Sequence, residues 1–311
     1  MLKINGRESW VVSKLQLSNQ FITRIKNAFG VQGASWLKEL PSLAANAEKL
    51  YKLNIIEAFD HQSFNFTAKA KNRDGEELVI KLCMSSIEVF REIYALKHMS
   101  GDGMVELLDS DENRGIIILE KLNPGTMLSE LNNDAEATEV AACVMSKLWH
   151  PISEGGDKWK TTKEWFERLE KPLNLPADFP MKLINQAKII AKELHSDMGE
   201  PVLLHGDLHH FNILSATRKP WLAIDPKGVI GERVYETGAF LRNPIPVIAT
   251  SAHIKKIMTK RIEILSEALG FDKRKIKSWG FAQSVLAAVW SLDANSTDYR
   301  SFLVCANAMK T

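Results

Sequence analysis

Two textures divide this chain, and the switch between them constrains the fold more than any single residue. From Ile55 to Glu120 the sequence runs in short apolar and β-branched stretches separated by turn chemistry: Ile55 to Phe59, Phe64 to Ala70, Leu78 to Cys83, Met104 to Leu108 and Gly115 to Glu120. Asn72-Arg73-Asp74-Gly75 supplies the turn between the second and third stretches, and the polar run Asp109 to Arg114 the turn between the last two. Between the third and fourth, Ser85 and Glu88 fit a capping box opening a helix with Phe90, Ile93 and Leu96 on one face, which closes near Gly101. Beyond Leu122-Asn123-Pro124-Gly125 the spacing becomes helical, over 134–149, 181–196, 252–269 and 275–292. Upstream, residues 15–52 predict two short helices parted at Pro41. The expectation is an α+β fold of two lobes. Residues 1–122 form a small antiparallel sheet with one internal helix and a helical extension, and 123–311 form a larger, mainly helical lobe.

A chain of 311 residues, 45% hydrophobic, is long enough for two separate cores. Forty basic against 38 acidic residues leave no strong field for nucleic acid or a membrane surface. No apolar run reaches the roughly 18 residues of a membrane helix. Met1 to Trp10 mixes Lys3, Arg7 and Glu8 among its apolar residues and lacks the apolar core of a secretory signal, so a cytoplasmic protein is expected. Cys83, Cys143 and Cys305 are odd in number and unpaired in spacing, which predicts reduced, buried thiols.

The chemistry concentrates in His205-Gly206-Asp207-Leu208-His209-His210-Phe211-Asn212. Asp207 and Asn212 stand five residues apart, so one short loop can present a carboxylate to a hydroxyl and an amide oxygen to a metal ion. The strand-like Trp221 to Ile224 that follows ends in Asp225, a second hard oxygen ligand suited to Mg²⁺; alone, such an Asp reads first as a turn or cap residue. Lys81 lies inside the apolar run Val79-Ile80-Lys81-Leu82, where an ammonium needs an anionic partner or must snorkel to water. Glu92, in the following helix, is the expected partner, with Glu88 engaged in the capping box. Phosphates would be the ligand such a lysine serves. The histidines 205, 209 and 210 admit a zinc-hydrolase alternative, but no second His- or Cys-rich cluster completes a shell and Lys81, Glu92 and Asn212 would have no part in it. On the acceptor side, Glu232, Glu236 and Asp293 are candidate carboxylates, or else solvated surface. Trp149, Trp159 and Trp165 are a candidate aromatic wall, or else core.

His205-Gly206-Asp207-Leu208-His209 with Asn212-Ile213-Leu214, followed by Ile224-Asp225-Pro226-Lys227-Gly228, resembles the aminoglycoside phosphotransferases, and within them the streptomycin 6-kinase and hydroxyurea-resistance branch. The likeness extends through Val79-Ile80-Lys81-Leu82 and the Trp36-Leu37 to Leu40-Pro41 stretch, spanning residues 35–245. It implies a protein-kinase-like fold and an ATP- and Mg²⁺-dependent kinase, with GTP not distinguished from ATP by any residue. It also implies Asp207 as catalytic base, Asn212 and Asp225 as Mg²⁺ ligands, Lys81 with Glu92 orienting the phosphates, and adenine held at the backbone from Glu120 to Leu122. The acceptor implied is a small-molecule hydroxyl, as in streptomycin or a related compound. Kinases of choline, sugars or methylthioribose share the loop. The segment His61-Gln62-Ser63-Phe64-Asn65, where a phosphate loop is implied, contains no glycine, which favours either side-chain donors at Ser63 and Asn65 or a non-catalytic, nucleotide-binding relative. Phe211 stands where relatives often carry glycine, a bulk expected to narrow the acceptor pocket.

Overall fold

The computed structural model describes residues 15, 17–60, 62–84, 86–99, 101–152 and 159–310. The expectations for Met1 to Trp10, His61 and Ser85 lie outside these residues. The chain forms two compact units, Met1–Ile93 with Val105–Lys121, and Tyr94–Met104 with Leu122–Thr311.

The first unit is a five-stranded antiparallel sheet of β1 (Asn54–Ala58), β2 (Phe66–Lys71), β3 (Glu77–Leu82), β4 (Leu107–Asp111) and β5 (Ile116–Glu120), in the order β1-β2-β3-β5-β4. One face is covered by helix α1 (Asn19–Leu50), which starts where the Ser18 hydroxyl accepts the Phe21 N–H at 3.1 Å. The buried side of α1, Phe21, Ile25, Trp36, Leu40, Ala44 and Ala47, packs on Phe66, Ala68, Ile80, Leu82, Ile116 and Ile118. This corrects the expected pair of short helices. The interruption falls at Gly30, whose φ of 54° and ψ of −127° are open to glycine, and Pro41 sits inside the helix. Proline costs about 3 kcal/mol in a helix interior. Leu40 and Ala44 on either side of it are fully buried in the same core, and burying one leucine returns about 2 kcal/mol.

Period-two alternation puts Leu78, Ile80 and Leu82 under α1 and turns Lys81 to the opposite sheet face, in register between Thr67 and Ile117. Helix α2 (Ile87–His98) follows, with the Ser86 hydroxyl accepting from the N–H groups of Glu88 and Val89. The fourth strand runs three residues later than the spacing predicts. The reversal is made instead by Asp111 to Gly115, where the Asp111 carboxylate accepts the Arg114 N–H at 3.0 Å and Gly115 has φ 68°. Asp109 and Ser110 are tolerated because β4 is an edge strand. Met104, expected in that strand, bridges Ala223.

The second unit is helical, with two small sheets of which the sequence foretold only the strand at Trp221. One orders β10 (Trp221–Ala223), β9 (Ile213–Ala216) and β6 (Pro124–Met127); the other orders β7 (Lys160–Thr161), β11 (Val229–Gly231) and β8 (Val202–Leu204). Strands of two to four residues are too short to show alternation. The helices are α3 (Asp134–Leu148), α4 (Thr162–Phe166), α5 (Met181–Ser196), α6 (Thr237–Leu241), α7 (Val247–Thr250), α8 (Ile254–Leu269), α9 (Lys273–Asp293) and α10 (Tyr299–Ala308). Through Phe281 to Val289 every residue of α9 is buried, making it the axis on which α5, α6, α8 and α10 pack. All three cysteines are free; Cys83 and Cys305 are buried, but Cys143 is exposed, contrary to expectation.

Candidate active site

In the second unit, β8 delivers the chain into the loop at His205. Gly206 has φ 85°, and a Cβ there would lie 2.8 Å from both Trp165 and Val229, so backbone conformation and space both demand glycine. The loop is tied down from beneath. His205 Nε2 donates to the Ile224 carbonyl at 2.7 Å, and His205 Nδ1 accepts the Asp207 N–H at 3.3 Å, a pairing that fixes a neutral tautomer. Burial depresses the His205 pKa to about 4, in keeping with that neutral state. The Asn212 carbonyl accepts the Ile224 N–H at 2.9 Å, so the strand end that carries Asp225 lies directly against the Asn212 end of the loop.

Asn212 Nδ2 donates to the Asp207 carbonyl at 2.9 Å, which commits the amide nitrogen to the loop and leaves the hard oxygen as the group's acceptor. Asp225 adopts a positive φ of 59°, a conformation a short polar side chain tolerates and a β-branched one does not. An amide oxygen and a carboxylate carried on adjoining backbone are hard donors of the kind that could hold Mg²⁺.

The Asp207 side chain is 30% exposed. Its Oδ1 lies 3.3 Å from Arg242 Nη2 and its Oδ2 lies 3.7 Å from His209 Nε2. Desolvation pushes its pKa up, but the positive field of His209, Lys227 and Arg242 outweighs it and holds the carboxyl below the usual range.

Two residues here escaped the sequence reading. Arg242 is buried, with its second Nη donating to Gln283 Oε1 at 3.0 Å. Its signal was the one that singled out Lys81: a lone cation ending an apolar run, Ala239-Phe240-Leu241-Arg242. Glu236 was considered only as acceptor or surface. It is buried, and its carboxylate accepts the N–H of His205 at 2.7 Å and of Gly206 at 2.9 Å. Burial lifts its pKa to about 7 against those hydrogen bonds.

The other acceptor-side expectations are likewise corrected. Glu232 is buried and engaged by Trp279 Nε1 at 2.5 Å and Lys275 at 2.8 Å, so it is neither solvated surface nor turned outward to an acceptor. Asp293 forms a two-point pair with Arg168 at 2.6 and 2.7 Å. The three tryptophans form no common wall: Trp149 meets Phe271, Trp159 meets Tyr94, and Trp165 alone lies by the loop, against Gly206, Tyr235 and Trp290. Phe211 is 39% exposed and edge-on to His209. The histidines do not converge. His210 stacks on Phe240 at 4.1 Å with Arg261 at 3.3 Å, and among the described residues no group of three or more His, Cys, Asp or Glu side chains is placed to hold a metal ion. The zinc alternative therefore loses its ligand set.

In the first unit, Lys81 Nζ meets Glu92 Oε1 at 2.5 Å in a buried pair. The Glu120 carboxylate accepts the Glu106 N–H at 2.9 Å, its own N–H bonds the Glu106 carbonyl at 3.0 Å, and the next residues mark the passage to the second unit, where Leu122 is buried. The glycine-free turn between β1 and β2 is organised by Gln62. Its amide donates to the carbonyls of Phe59 and Thr67 at 2.7 and 2.8 Å and accepts the Thr67 N–H at 2.8 Å, in the manner of a strand residue. Arg24 from α1 bonds the Gln62 carbonyl, and Phe29 packs edge-on to Phe64 at 5.8 Å. A side-chain amide thus closes this turn, with its donors engaged by backbone carbonyls.

With this geometry in view, comparison with known proteins is direct. The family model described as aminoglycoside/hydroxyurea antibiotic resistance kinase matches residues 57–295. A streptomycin 6-kinase of Streptomyces glaucescens is 28% identical over 274 residues, covering 86% of this chain and 88% of the relative. A hydroxyurea phosphotransferase of Kitasatospora aureofaciens is 26% identical over 269 residues, covering 85% of this chain and 76% of the relative. The solved structure of a thermostable mutant aminoglycoside phosphotransferase in complex with ADP and hygromycin B superposes with a TM-score of 0.61 at 14% identity, over 86% of this chain and 98% of that one, which establishes the protein-kinase-like fold. The chain belongs to the aminoglycoside/hydroxyurea antibiotic resistance kinase family, and is a small-molecule phosphotransferase with an alcohol group as acceptor.

Proposed function

We propose that this protein transfers the γ-phosphoryl group of ATP, with Mg²⁺, to a hydroxyl of an aminoglycoside such as streptomycin or of a related compound. The observation that carries the reading is Asp207: an ionised carboxylate, partly open, set between Arg242 and His209 on a loop whose other end brings Asn212 beside Asp225. In this reading the substrate hydroxyl donates to Asp207, which orients it in line with the γ-phosphorus. The O–H bond breaks as the new O–P bond forms, ADP departs, and the proton rests on the Asp207 carboxyl before passing to solvent. A carboxylate held below its usual pKa is a weak base, which suits a loose transition state in which the proton moves late. Arg242 and the loop hydrogen bonds keep the carboxylate in position, so much of its value is orientation. Asn212 and Asp225 would hold Mg²⁺, whose chemistry is to neutralise charge on the β- and γ-phosphates. Lys81, aimed by Glu92, would meet the phosphates, and the backbone from Glu120 to Leu122 would receive the adenine.

The acceptor class rests on the named relatives rather than on an acidic pocket, since Glu232 and Glu236 are consumed inside the protein. The test is to incubate the protein with Mg²⁺-ATP and, separately, streptomycin, other aminoglycosides, hydroxyurea, choline and methylthioribose, and to weigh the products. A mass gain of one phosphate on an aminoglycoside or hydroxyurea is expected. Phosphate on choline or methylthioribose alone would replace the acceptor, and ATP binding with no product from any compound would favour a non-catalytic protein.

A further inference from the structure

Helices α8, α9 and the end of α10 border an open cavity of about 450 Å³ on the second unit, a size that accommodates a small ligand. Five cations line it: Lys255 from α8, Lys273, Arg274 and Lys277 from α9, and Lys310 just past α10. None of the five forms an ion pair among the described residues. Four of them, Lys255, Lys273, Arg274 and Lys310, are exposed, and Lys277 is half-buried. The cavity's one carboxylate, Glu263, is already paired with Lys260 at 3.9 Å. Met258 and Ile262, both buried, form an apolar floor.

Two physical points set this cluster apart from an ordinary solvated face. Like charges gathered around a concavity with an apolar floor repel one another and focus a positive potential into it. The first turn of α9 carries Lys273, Arg274 and Lys275 and no acid, the sign that the positive end of a helix disfavours; relief comes from Asp272, which caps the Lys275 N–H at 2.9 Å, and from Glu232, which takes up Lys275. Lys273 and Arg274 are left without such relief among the described residues. An anion in the cavity would relieve both. The walls are helices packed on one another, so the charges are held on a rigid frame.

We infer that this cavity is a binding site for a small anion carrying two or more phosphate groups, separate from the loop that holds Asp207. The apolar floor suits an organic body beneath the phosphates, and the spread of cations over three elements suits more than one anionic group.

The probe is inorganic tripolyphosphate, titrated calorimetrically into the whole chain with chelator present, so that metal-dependent nucleotide binding does not contribute. Lys273→Gln/Arg274→Gln/Lys277→Gln is expected to weaken binding about tenfold or more while raising the Tm without ligand, as the like-charge repulsion is relieved, and leaving the affinity for Mg²⁺-ATP unchanged. Lys38→Gln/Lys49→Gln, on the exposed side of α1, should leave it untouched. If the triple variant folds poorly, Lys277→Gln alone should still weaken binding severalfold. Equal affinity in the triple variant, equal loss in the α1 control, or no heat with the unaltered protein would each overturn the assignment. So would binding of a single-stranded oligonucleotide or phosphatidylglycerol vesicles, lost in the triple variant, in the absence of tripolyphosphate binding; the cluster would then be a surface for a macromolecule or membrane.

Discussion

Replacing Glu236 by Gln tests whether the loop that carries Asp207 is anchored from below by a buried carboxylate. The native group accepts two backbone N–H bonds, from His205 and Gly206. Glutamine keeps one acceptor oxygen and turns an NH₂ toward the other N–H, leaving a buried donor unmet at a cost of about 1–3 kcal/mol. The pH dependence is more diagnostic than the size. Burial raises the carboxyl from 4.5 to about 7, so between those values the folded protein binds a proton that the unfolded chain has released. Native stability from this group is therefore full below pH 4.5 and is lost as pH rises to 7, by up to about 3 kcal/mol at 1.36 kcal/mol per pKa unit. Glutamine has no such slope. The destabilisation of Glu236→Gln should be about 1–3 kcal/mol at pH 8 and larger at pH 5 by up to about 3 kcal/mol. His205 contributes a slope of opposite sign, but it is present in both proteins and cancels in the difference. Urea titrations followed by tryptophan fluorescence at pH 5, 6, 7 and 8 give the comparison, and kcat should fall with the loop's precision while the affinity for nucleotide holds. A destabilisation that does not vary with pH, or none at all, would refute the buried-anchor reasoning.

Further expectations concern the remaining supports of the site. Lys81→Met takes from the Glu92 carboxylate the cation it meets in a buried pair and should destabilise by about 3–5 kcal/mol; Lys81→Met/Glu92→Leu should recover much of that stability but not nucleotide affinity, as read by urea titration and nucleotide binding. His205 is neutral when folded with a pKa of about 4 and titrates near 6.5 when unfolded, so its contribution is full above 6.5 and is lost as pH falls to 4, by about 3 kcal/mol; in His205→Asn this part of the acid-side loss should be missing from a Tm-against-pH profile. Gln62→Ala removes the side-chain bonds that close the β1–β2 turn and should raise the KM for ATP severalfold with a smaller effect on kcat, measured in steady state.

What the sequence disclosed depended on how strongly a feature was forced. The five-stranded sheet was legible because strands of five or six residues repeat with turn chemistry between them, and a lysine inside one of them had to find an anion. Small strands such as Lys160–Thr161 were not, since two residues carry no period. Pro41 looked like a helix stop because propensity is local; packing of Leu40 and Ala44 overrode it, and the chain broke at Gly30, where a positive φ carries no Cβ penalty. In the site, Asp207, Asn212 and Asp225 were marked by spacing along the chain. Glu236 and Arg242 reach the loop from about 30 residues downstream through tertiary contacts alone, and no spacing rule encodes that. Gln62 was hidden because the segment suggested donors for phosphates, at Ser63 and Asn65, rather than a side chain that closes the turn itself.

The central claim, that Asp207 positions and deprotonates the acceptor hydroxyl, is most directly tested by Asp207→Asn, assayed with whichever compound the product masses identify. Asparagine keeps the size of the group and can still face Arg242 and His209, so the fold and the affinity for Mg²⁺-ATP should be retained. Turnover should fall by ~10²–10⁴, the usual worth of a general base. Turnover equal to that of the unaltered protein, with product of the same mass, would contradict the account.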